Sequence, residues 1–166
     1  MSGITLTSQE EDRYAQLQDM ALNFARVGEV ESLEPMIRAG INVDLSSHKG
    51  DSLLMLSTYN GNVECSEMLI KYGAFVDKKN DRGQTPLGGV SFKGNLEMVK
   101  LLLDNGAEID ADNGGGKTPL MFAAMFGHKK IVDYLISRGA NVKSQTLMGI
   151  SVLGIAKITG GIRKLF

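Results

Sequence analysis

The chain has little of what enzymes, metal proteins and membrane proteins require. It contains one cysteine, so it cannot form an internal disulfide, and only two histidines, His48 and His128, which have no evident partners for metal or nucleophilic chemistry. No run of about 20 apolar residues exists to cross a membrane. The first residues lack the basic and apolar regions of a signal peptide. These absences predict a non-enzymatic, cytoplasmic protein with no catalytic residues, cofactor or metal.

The chain as a whole has no marked excess of acidic or of basic side chains. The 18 basic and 19 acidic side chains give a formal net charge of −1 and a pI near 6.1, which argues against nucleic-acid binding. The two halves differ, because residues 1–83 hold 8 basic and 13 acidic side chains, net −5, and residues 84–166 hold 10 and 6, net +4. This polarity is either ordinary surface variation, or it suits a partner with the opposite gradient or head-to-tail self-association.

Glycine, in contrast, is abundant, and it recurs at one fixed spacing of 33 residues in three independent series. The series are Gly28, Gly61, Gly94, Gly127 and Gly160; Gly40, Gly73, Gly106 and Gly139; and Gly50, Gly83, Gly116 and Gly149. A fourth series at this spacing consists of residues that can cap a helix N-terminus, namely Asp19, Ser52, Thr85, Thr118 and Ser151. Several registers at a single period identify a repeat array.

Each repeat is predicted to contain two helices joined by a tight turn. In the two clearest copies the cap is followed by proline, as Thr85-Pro86 and Thr118-Pro119, and proline suits the first helical position. This first helix has room for about two turns before a glycine ends it. A second helix is predicted over Leu96–Asp104 and Lys129–Ser137. The repeating unit is therefore helix, turn, helix, glycine and extended loop.

These residues resemble the ankyrin repeat. Its G-x-T-P-L, A-A-x-x-G and L-L-x-x-G-A segments correspond here to residues 116–120, 123–127 and 135–140. The resemblance covers roughly residues 15–166, as four full repeats and a truncated fifth. It implies an all-α repeat solenoid of helix-turn-helix units with β-hairpin loops. Residues 1–18 would form an N-terminal extension and first-helix cap, and residues 19–166 the repeat domain.

Packing expectations follow from the repeat, because a single helix pair cannot bury its own apolar face and must stack on its neighbours. One core column is predicted from the pairs Met36-Ile37, Leu69-Ile70, Leu102-Leu103 and Leu135-Ile136. Cys65 is predicted to be a small buried hydrophobe, and His128, which follows Gly127, to have a structural role. Ser8 and Glu11 have the spacing of a capping box. At the other end, Ile162, Leu165 and Phe166 are expected to fold back over the last helix.

The chain departs from good repeat chemistry at three points. The family's histidine after T-P-L commonly ties neighbouring hairpin loops and is absent throughout, so looser loops are expected. Gly88 and Gly89 fall inside a helix, where each costs about 1 kcal/mol relative to alanine. They are either a tolerated weakness, or they mark a flexible middle or the close approach of a partner. Pro35 lies in the second helix of the first repeat and predicts a kink or a late helix start.

One segment resembles a nucleotide-binding motif. Residues 111–118, ADNGGGKT, fit a loose form of the phosphate-binding loop, which presents backbone N–H groups to phosphates between a strand and a helix. The repeat register explains the same residues, because Gly116 is a tip glycine and Thr118 a helix cap. A parallel βαβ unit is also missing. Nucleotide binding is therefore not expected.

The resemblance implies that partners contact the hairpin tips and the exposed side of the first helices, which form a concave face. The tip residues at these positions include His48, Lys49, Lys79, Asp81 and Arg82. On the helices, two adjacent positions at 33-residue spacing hold large side chains, and the proposed contacts there are Tyr59, Phe92, Met125, Phe126 and Lys93. Such a ladder suits a binding hot spot, although packing against the neighbouring repeat is the alternative. In the fifth copy Leu147, Met148 and Ile150 are apolar at tip positions, which indicates either a binding patch or packing against the C-terminus.

The function predicted from these features is protein binding without catalysis. The partner is another protein, bound through the concave face and the hairpin tips by a chain that is a monomer in isolation. A small inhibitor, immunity or regulatory protein would have this form. The alternative is a structural or self-assembling spacer protein that acts through its charged ends. Neither nucleic acid nor a membrane is expected as a partner.

Overall fold

The computed structural model describes the backbone of residues 7–159 and the side chains of residues 7–155. This part of the chain folds into the helices α1 Ser8–Val27, α2 Val30–Arg38, α3 Leu53–Tyr59, α4 Val63–Lys71, α5 Pro86–Lys93, α6 Leu96–Asp104, α7 Pro119–Met125, α8 Lys129–Ser137 and α9 Val152–Thr159. Extended structure between residues 7 and 159 is limited to isolated bridges, which join Ser46 to Ser52 and Gln145 to Ser151. The described fold is therefore an all-α repeat solenoid.

Helices alternate between two layers along the chain. The first helices of the repeats are α1, α3, α5, α7 and α9, and each packs on the next; α2, α4, α6 and α8 are the second helices. Between a second helix and the next first helix lies a hairpin tip, and the four tips are residues 47–51, 80–84, 113–117 and 146–150, named tip 1 to tip 4. In each tip the N–H of the first residue donates to the carbonyl of the last, over 2.8–3.0 Å. The 33-residue period is thus preserved in three dimensions.

Capping explains where most first helices begin. The side chains of Ser52, Thr85 and Thr118 accept hydrogen bonds from the N–H three residues later, as the spacing predicts. The prediction of a cap at Asp19 is wrong, because α1 runs through this residue without a break. Its position lacks the following proline that opens α5 and α7, so nothing in the sequence stops the helix from extending toward the N-terminus.

The start of α1 lies one residue from its predicted place. The capping box consists of Thr7 and Glu10 rather than Ser8 and Glu11. The Thr7 hydroxyl accepts from the Glu10 N–H at 3.3 Å, and the Glu10 carboxylate accepts from the Thr7 N–H at 2.8 Å. Because threonine and serine are adjacent and both can cap, the spacing alone could not distinguish the two registers.

Pro35 does not delay its helix. Helix α2 begins at Val30, in register with Val63 of α4 and Leu96 of α6, so the expectation of a late start is wrong. The proline lies inside the helix with its ring exposed, and the helix continues to Arg38. The missing N–H leaves the carbonyl of Glu31 without its usual donor.

The core runs along the array, between the two helix layers. Leu69, Leu102 and Leu135 are fully buried and stand at equivalent positions of consecutive repeats, as predicted. Ile136 is exposed instead, so only Leu135 of the predicted pair in α8 belongs to the core. Cys65 is buried as expected, and this burial raises the pKa of its thiol, partly offset by a hydrogen bond from Ser57. The predicted fold-back of Ile162, Leu165 and Phe166 lies outside the described residues.

Polar side chains at the starts of α4 and α8 connect consecutive repeats, because each one contacts the last turn of the first helix in the preceding repeat. Asn62 donates to the carbonyl of Arg26 at 3.0 Å, and the His128 ring is 2.8 Å from the carbonyl of Phe92. A side chain at Gly94 would collide with His128, since its Cβ would lie 2.5 Å from the ring. His128 therefore has the structural role predicted for it: its ring is within hydrogen-bond distance of the carbonyl of Phe92, in the last turn of α5.

Candidate protein-binding surface

Two neighbouring hollows lie between the hairpin tips and the first helices. The first hollow, about 810 Å³, is bounded by α1, tip 1 and α3, and the second, about 360 Å³, by tips 1 and 2, α3 and α5. Asp51, Leu56 and Tyr59 line both hollows. The two hollows together are named the groove. Tyr59 therefore stands at its centre, on the wall that both share.

The predicted aromatic residues are neither free nor fully packed. Tyr59, Phe92 and Phe126 are 39%, 37% and 48% exposed. The Phe92 ring contacts Phe126 edge-on, with centroids 4.4 Å apart, and lies 6.4 Å from the buried ring of Phe122. Met125 is half-buried and packs against the core. The three rings are thus partly exposed and partly packed against the repeats.

Cations lie near the Tyr59 end of the aromatic row. The Lys93 ammonium lies 4.9 Å from the centroid of the Tyr59 ring. Arg82 lines the second hollow, Lys49 lines the first beside His48, and Lys79 is exposed next to tip 2. The salt bridges among the side chains of residues 7–155 lie elsewhere, on or at the ends of second helices: Arg38–Glu34, Lys129–Asp133 and Arg138–Asp104. The groove cations are therefore not neutralised by a carboxylate of the described chain.

The acidic residues of this face are partly engaged within the fold. Asp51 accepts a hydrogen bond from the side-chain amide of Asn80 at 2.8 Å. Asp81 donates its backbone N–H to the carbonyl of Lys49 at 3.1 Å, and a Cβ on Gly50 would lie 2.5 Å from the Asp81 carboxylate. Tips 1 and 2 are joined by both residues. The predicted site residue Asp81 thus has a structural contact as well as an exposed position.

The hairpin loops are tied without the family's histidine. The side-chain oxygen of Asn113 accepts from the N–H and the hydroxyl of Thr85, at 2.7 and 3.0 Å, and its amide donates to the carbonyl of Ala111. Gly88 occupies the position of the missing histidine, and a Cβ there would lie 1.9 Å from the Asn113 oxygen. The Asn113 side chain therefore occupies the space that a side chain at position 88 would enter, and it ties tip 3 to the start of α5.

The two helical glycines have different surroundings. Gly88 faces Asn113 inside the protein, whereas a Cβ on Gly89 would meet only the Tyr59 ring, at 3.3 Å. Gly89 lines the second hollow beside Phe92. The sequence shows the glycines only as an adjacent pair and does not reveal the contact between position 88 and Asn113. The available signal was Asn80 and Asn113 at 33-residue spacing, both buried in their tips.

Residues 111–118, which resemble a phosphate-binding loop, hold a carboxylate of the protein itself. The N–H groups of Gly114 and Gly116 both donate to one oxygen of Asp112, at 2.9 Å. These are the donors that a phosphate would need, so the loop is built as a tip and not as an anion site. Within residues 7–159, no cluster of three or more His, Cys, Asp or Glu side chains could hold a metal ion. None of the described helices has the length and apolarity to span a membrane.

Tip 4 carries the most exposed apolar side chains of this face. Leu147 and Met148 are 86% and 85% exposed, while Ile150 is half-buried and packs on the core. The backbone N–H of Leu147 donates to the carbonyl of Gly115 at 2.9 Å, so tip 4 is fixed to tip 3. The side chains that point away from this contact remain available.

Stacked helix pairs joined by hairpin tips define a helical repeat solenoid with a groove along one side. This chain belongs to the ankyrin repeat family: the family model described as ankyrin repeats (3 copies) matches residues 21–113 and 76–146, which together span more than half of the chain. A Pseudomonas aeruginosa protein whose name describes it as an ankyrin repeat protein is 45% identical over 40 residues. That match covers 24% of this chain and 23% of the relative. Ankyrin repeats are generally non-enzymatic protein–protein interaction modules.

Proposed function

We propose that this protein binds another protein through the groove and its flanking tips. The observation that carries the proposal is the row of half-exposed rings of Tyr59, Phe92 and Phe126, flanked by cations that have no carboxylate partner. Aromatic and arginine side chains dominate the energetics of protein interfaces, where truncating a central residue commonly costs about 2 kcal/mol or more. The remaining candidate contacts, His48, Lys49, Lys79, Asp81, Arg82 and Lys93, would form the polar rim, and Met125 would support the row from below.

Rigidity is the second support for this proposal. Tip 1 is hydrogen-bonded to tip 2 and tip 3 to tip 4, Asn113 ties tip 3 to α5, and each tip is closed by its own backbone hydrogen bond. A surface whose loops are already ordered loses little conformational entropy on binding. We therefore propose that affinity comes from complementarity to a preformed surface, with the chain acting by covering part of its partner, as a small inhibitor, immunity or regulatory protein would.

The proposal is tested by comparing two triple variants in capture from a lysate of the source cell. Tyr59→Ala, Phe92→Ala and Phe126→Ala together remove the aromatic row. The matched control removes three similarly exposed apolar side chains elsewhere, Phe75→Ala, Ile136→Ala and Val142→Ala. A protein retained by wild type and by the control but lost by the aromatic variant supports the groove as the binding site. Equal retention by all three places the contact elsewhere and overturns the proposal, provided that circular dichroism shows each variant folded.

A further inference from the structure

The second hollow of the groove exists because position 89 carries no side chain. We propose that this hollow receives a large apolar side chain from an acidic segment of the partner protein. The inference rests on the proposed function, because it names the chemistry of what the groove binds. The equivalent residues of the adjacent repeats are Leu56 and Phe122, both large. Their packing shows that this helix position ordinarily fills its own space.

Apolar walls surround the vacated position. Leu56 and Tyr59 of α3 lie on one side and Phe92 of α5 on the other, with Gly89 between them. The hollow has a volume of about 360 Å³, within the range of roughly 300–1,000 Å³ that ligand pockets occupy. Desolvating a large side chain between two aromatic rings is favourable because apolar area leaves water on both partners. The hollow therefore fits an aromatic or large aliphatic anchor.

The polar groups at the tip end of the hollow are already satisfied. Asn80 donates to Asp51 and accepts from the backbone N–H groups of Arg82 and Gln84. Thr85 donates to Asn113 and accepts from Gly88. Few unpaired donors or acceptors therefore remain to select a polar side chain. The anchor is expected to bind through apolar contact, while the acidic residues of the partner segment contact cations outside the hollow.

The charges around the hollow select an acidic partner. The groove has four cations: Arg82 lines the second hollow, Arg26 and Lys49 line the first, and Lys93 lies 4.9 Å from the centroid of the Tyr59 ring. The carboxylates in its lining are those of Asp19 and Asp51. Asp51 is engaged by Asn80, and none of the four cations forms a salt bridge within the described residues. This local excess of positive charge contrasts with a net charge of −1 for the whole chain. Such complementarity accelerates association and discriminates against neutral or basic segments.

The test selects binders from a displayed library of random short peptides on wild-type protein alone. The expected winners contain several Asp or Glu residues around one Phe, Trp or Leu. Their affinity, measured by fluorescence anisotropy, should fall at least about tenfold with Gly89→Leu, which installs the side chain of position 56. It should also fall at least about tenfold with Arg82→Glu and weaken with added salt, because rim charges act through a screened field.

Controls separate loss of the site from loss of the fold. Lys130→Glu makes the same kind of charge change as Arg82→Glu on a second helix, at an exposed residue without an ion pair in the described chain, and should leave affinity unchanged. Gly89→Ala puts a smaller group into the hollow, 3.3 Å from the Tyr59 ring, which is partly exposed and has room to shift. Because it also removes a helical glycine, its melting temperature should equal or exceed that of wild type while affinity still falls.

Four outcomes would overturn the inference, and the last of them would overturn the proposed function as well. Enriched peptides that are neutral or basic contradict it. Acidic peptides that lose affinity with Tyr59→Ala but not with Gly89→Leu or Gly89→Ala contradict the hollow while leaving the groove proposal intact. A single-stranded oligonucleotide that binds as tightly as the best peptide and competes with it shows that the cations serve a nucleic acid. Peptides insensitive to every groove variant contradict the proposed function itself.

Discussion

A single buried asparagine carries the connection between tip 3 and the start of α5. Asn113 is 2% exposed and accepts both the backbone N–H and the hydroxyl of Thr85. Thr85 in turn caps α5 by accepting from the N–H of Gly88. The glycine, the threonine and the asparagine therefore form one unit, in which each residue type depends on the other two.

This unit predicts that Gly88→Ala destabilises the protein. The added Cβ would lie 1.9 Å from the Asn113 oxygen, so the asparagine must move and abandon Thr85. Leaving such buried polar groups unpaired costs about 1–3 kcal/mol, which exceeds the gain of about 1 kcal/mol in helix propensity. The measurement is the free energy of unfolding in urea.

The Asn113→Ala variant provides the cross-check on this mechanism. Because it breaks the same hydrogen bonds, the double variant should lose much less stability than the sum of the two single variants. Strict additivity would show that Gly88 and Asn113 act independently, contrary to this account.

Ser91 in the same helix is predicted to limit stability. Its hydroxyl oxygen is buried and has no hydrogen-bond partner within the described chain. The equivalent Thr58 donates to the carbonyl of Leu54 at 2.8 Å, and the equivalent residue in α7 is Ala124. Ser91→Ala should therefore raise the free energy of unfolding by about 1 kcal/mol, since it removes an unpaired buried polar group. Thr58→Ala is the contrasting variant and should lower it; a loss of stability in Ser91→Ala would contradict this reading.

Among the elements, the helices bounded by strong local signals were predicted best. The ranges of α6 and α8 agree with the sequence prediction, because a glycine ends each of them and apolar residues recur with helical spacing. Helix α1 was predicted less well, because it has no proline or glycine to separate the extension from the first repeat. The contribution of Asn113 was not foreseen, since it depends on a contact between residues 28 apart in sequence.

The second helices of the first two repeats are linked by a network that responds to acid. The Glu34 carboxylate accepts hydrogen bonds from the hydroxyl of Tyr72 at 2.8 Å and from the guanidinium of Arg38 at 2.9 Å. These two hydrogen bonds, that of Tyr72 first, lower the pKa of Glu34 below its usual value of 4.5. A carboxyl whose pKa is lower in the folded state stabilises the fold above its unfolded pKa and loses that contribution as pH falls through the folded pKa.

Stability should accordingly decline below about pH 4.5, and Glu34→Gln should reduce this decline. The comparison is of urea midpoints for wild type and variant across acidic pH. Glu67→Gln is the matched control, because Glu67 is exposed on α4 and forms no hydrogen bond or salt bridge within the described part. An acid dependence of Glu34→Gln identical to that of wild type would show that this network does not couple the helices.

At the scale of the whole molecule, the 33-residue period predicts part of the candidate site. The 33-residue register relates Tyr59, Phe92 and Met125, with Phe126 at the adjacent position, and the three aromatic residues are partly exposed as a binding row requires. The division of the groove at Tyr59 and the hollow above Gly89 were not predictable, because they depend on how adjacent repeats pack. The engagement of Asp51 by Asn80 was likewise hidden, since sequence alone does not distinguish a free carboxylate from an occupied one.

The location of the binding surface is the central claim, and amide hydrogen exchange tests it most directly. The protein is measured alone and with a partner obtained by capture, and the change in protection is assigned along the chain. We predict slowed exchange in tips 1 to 3 and at the ends of α3 and α5 around Tyr59 and Phe92, with α4, α6 and α8 unchanged, because bound partner would cover the groove side only. Protection concentrated on the second helices, with tips 1 to 3 unaffected, would contradict the account.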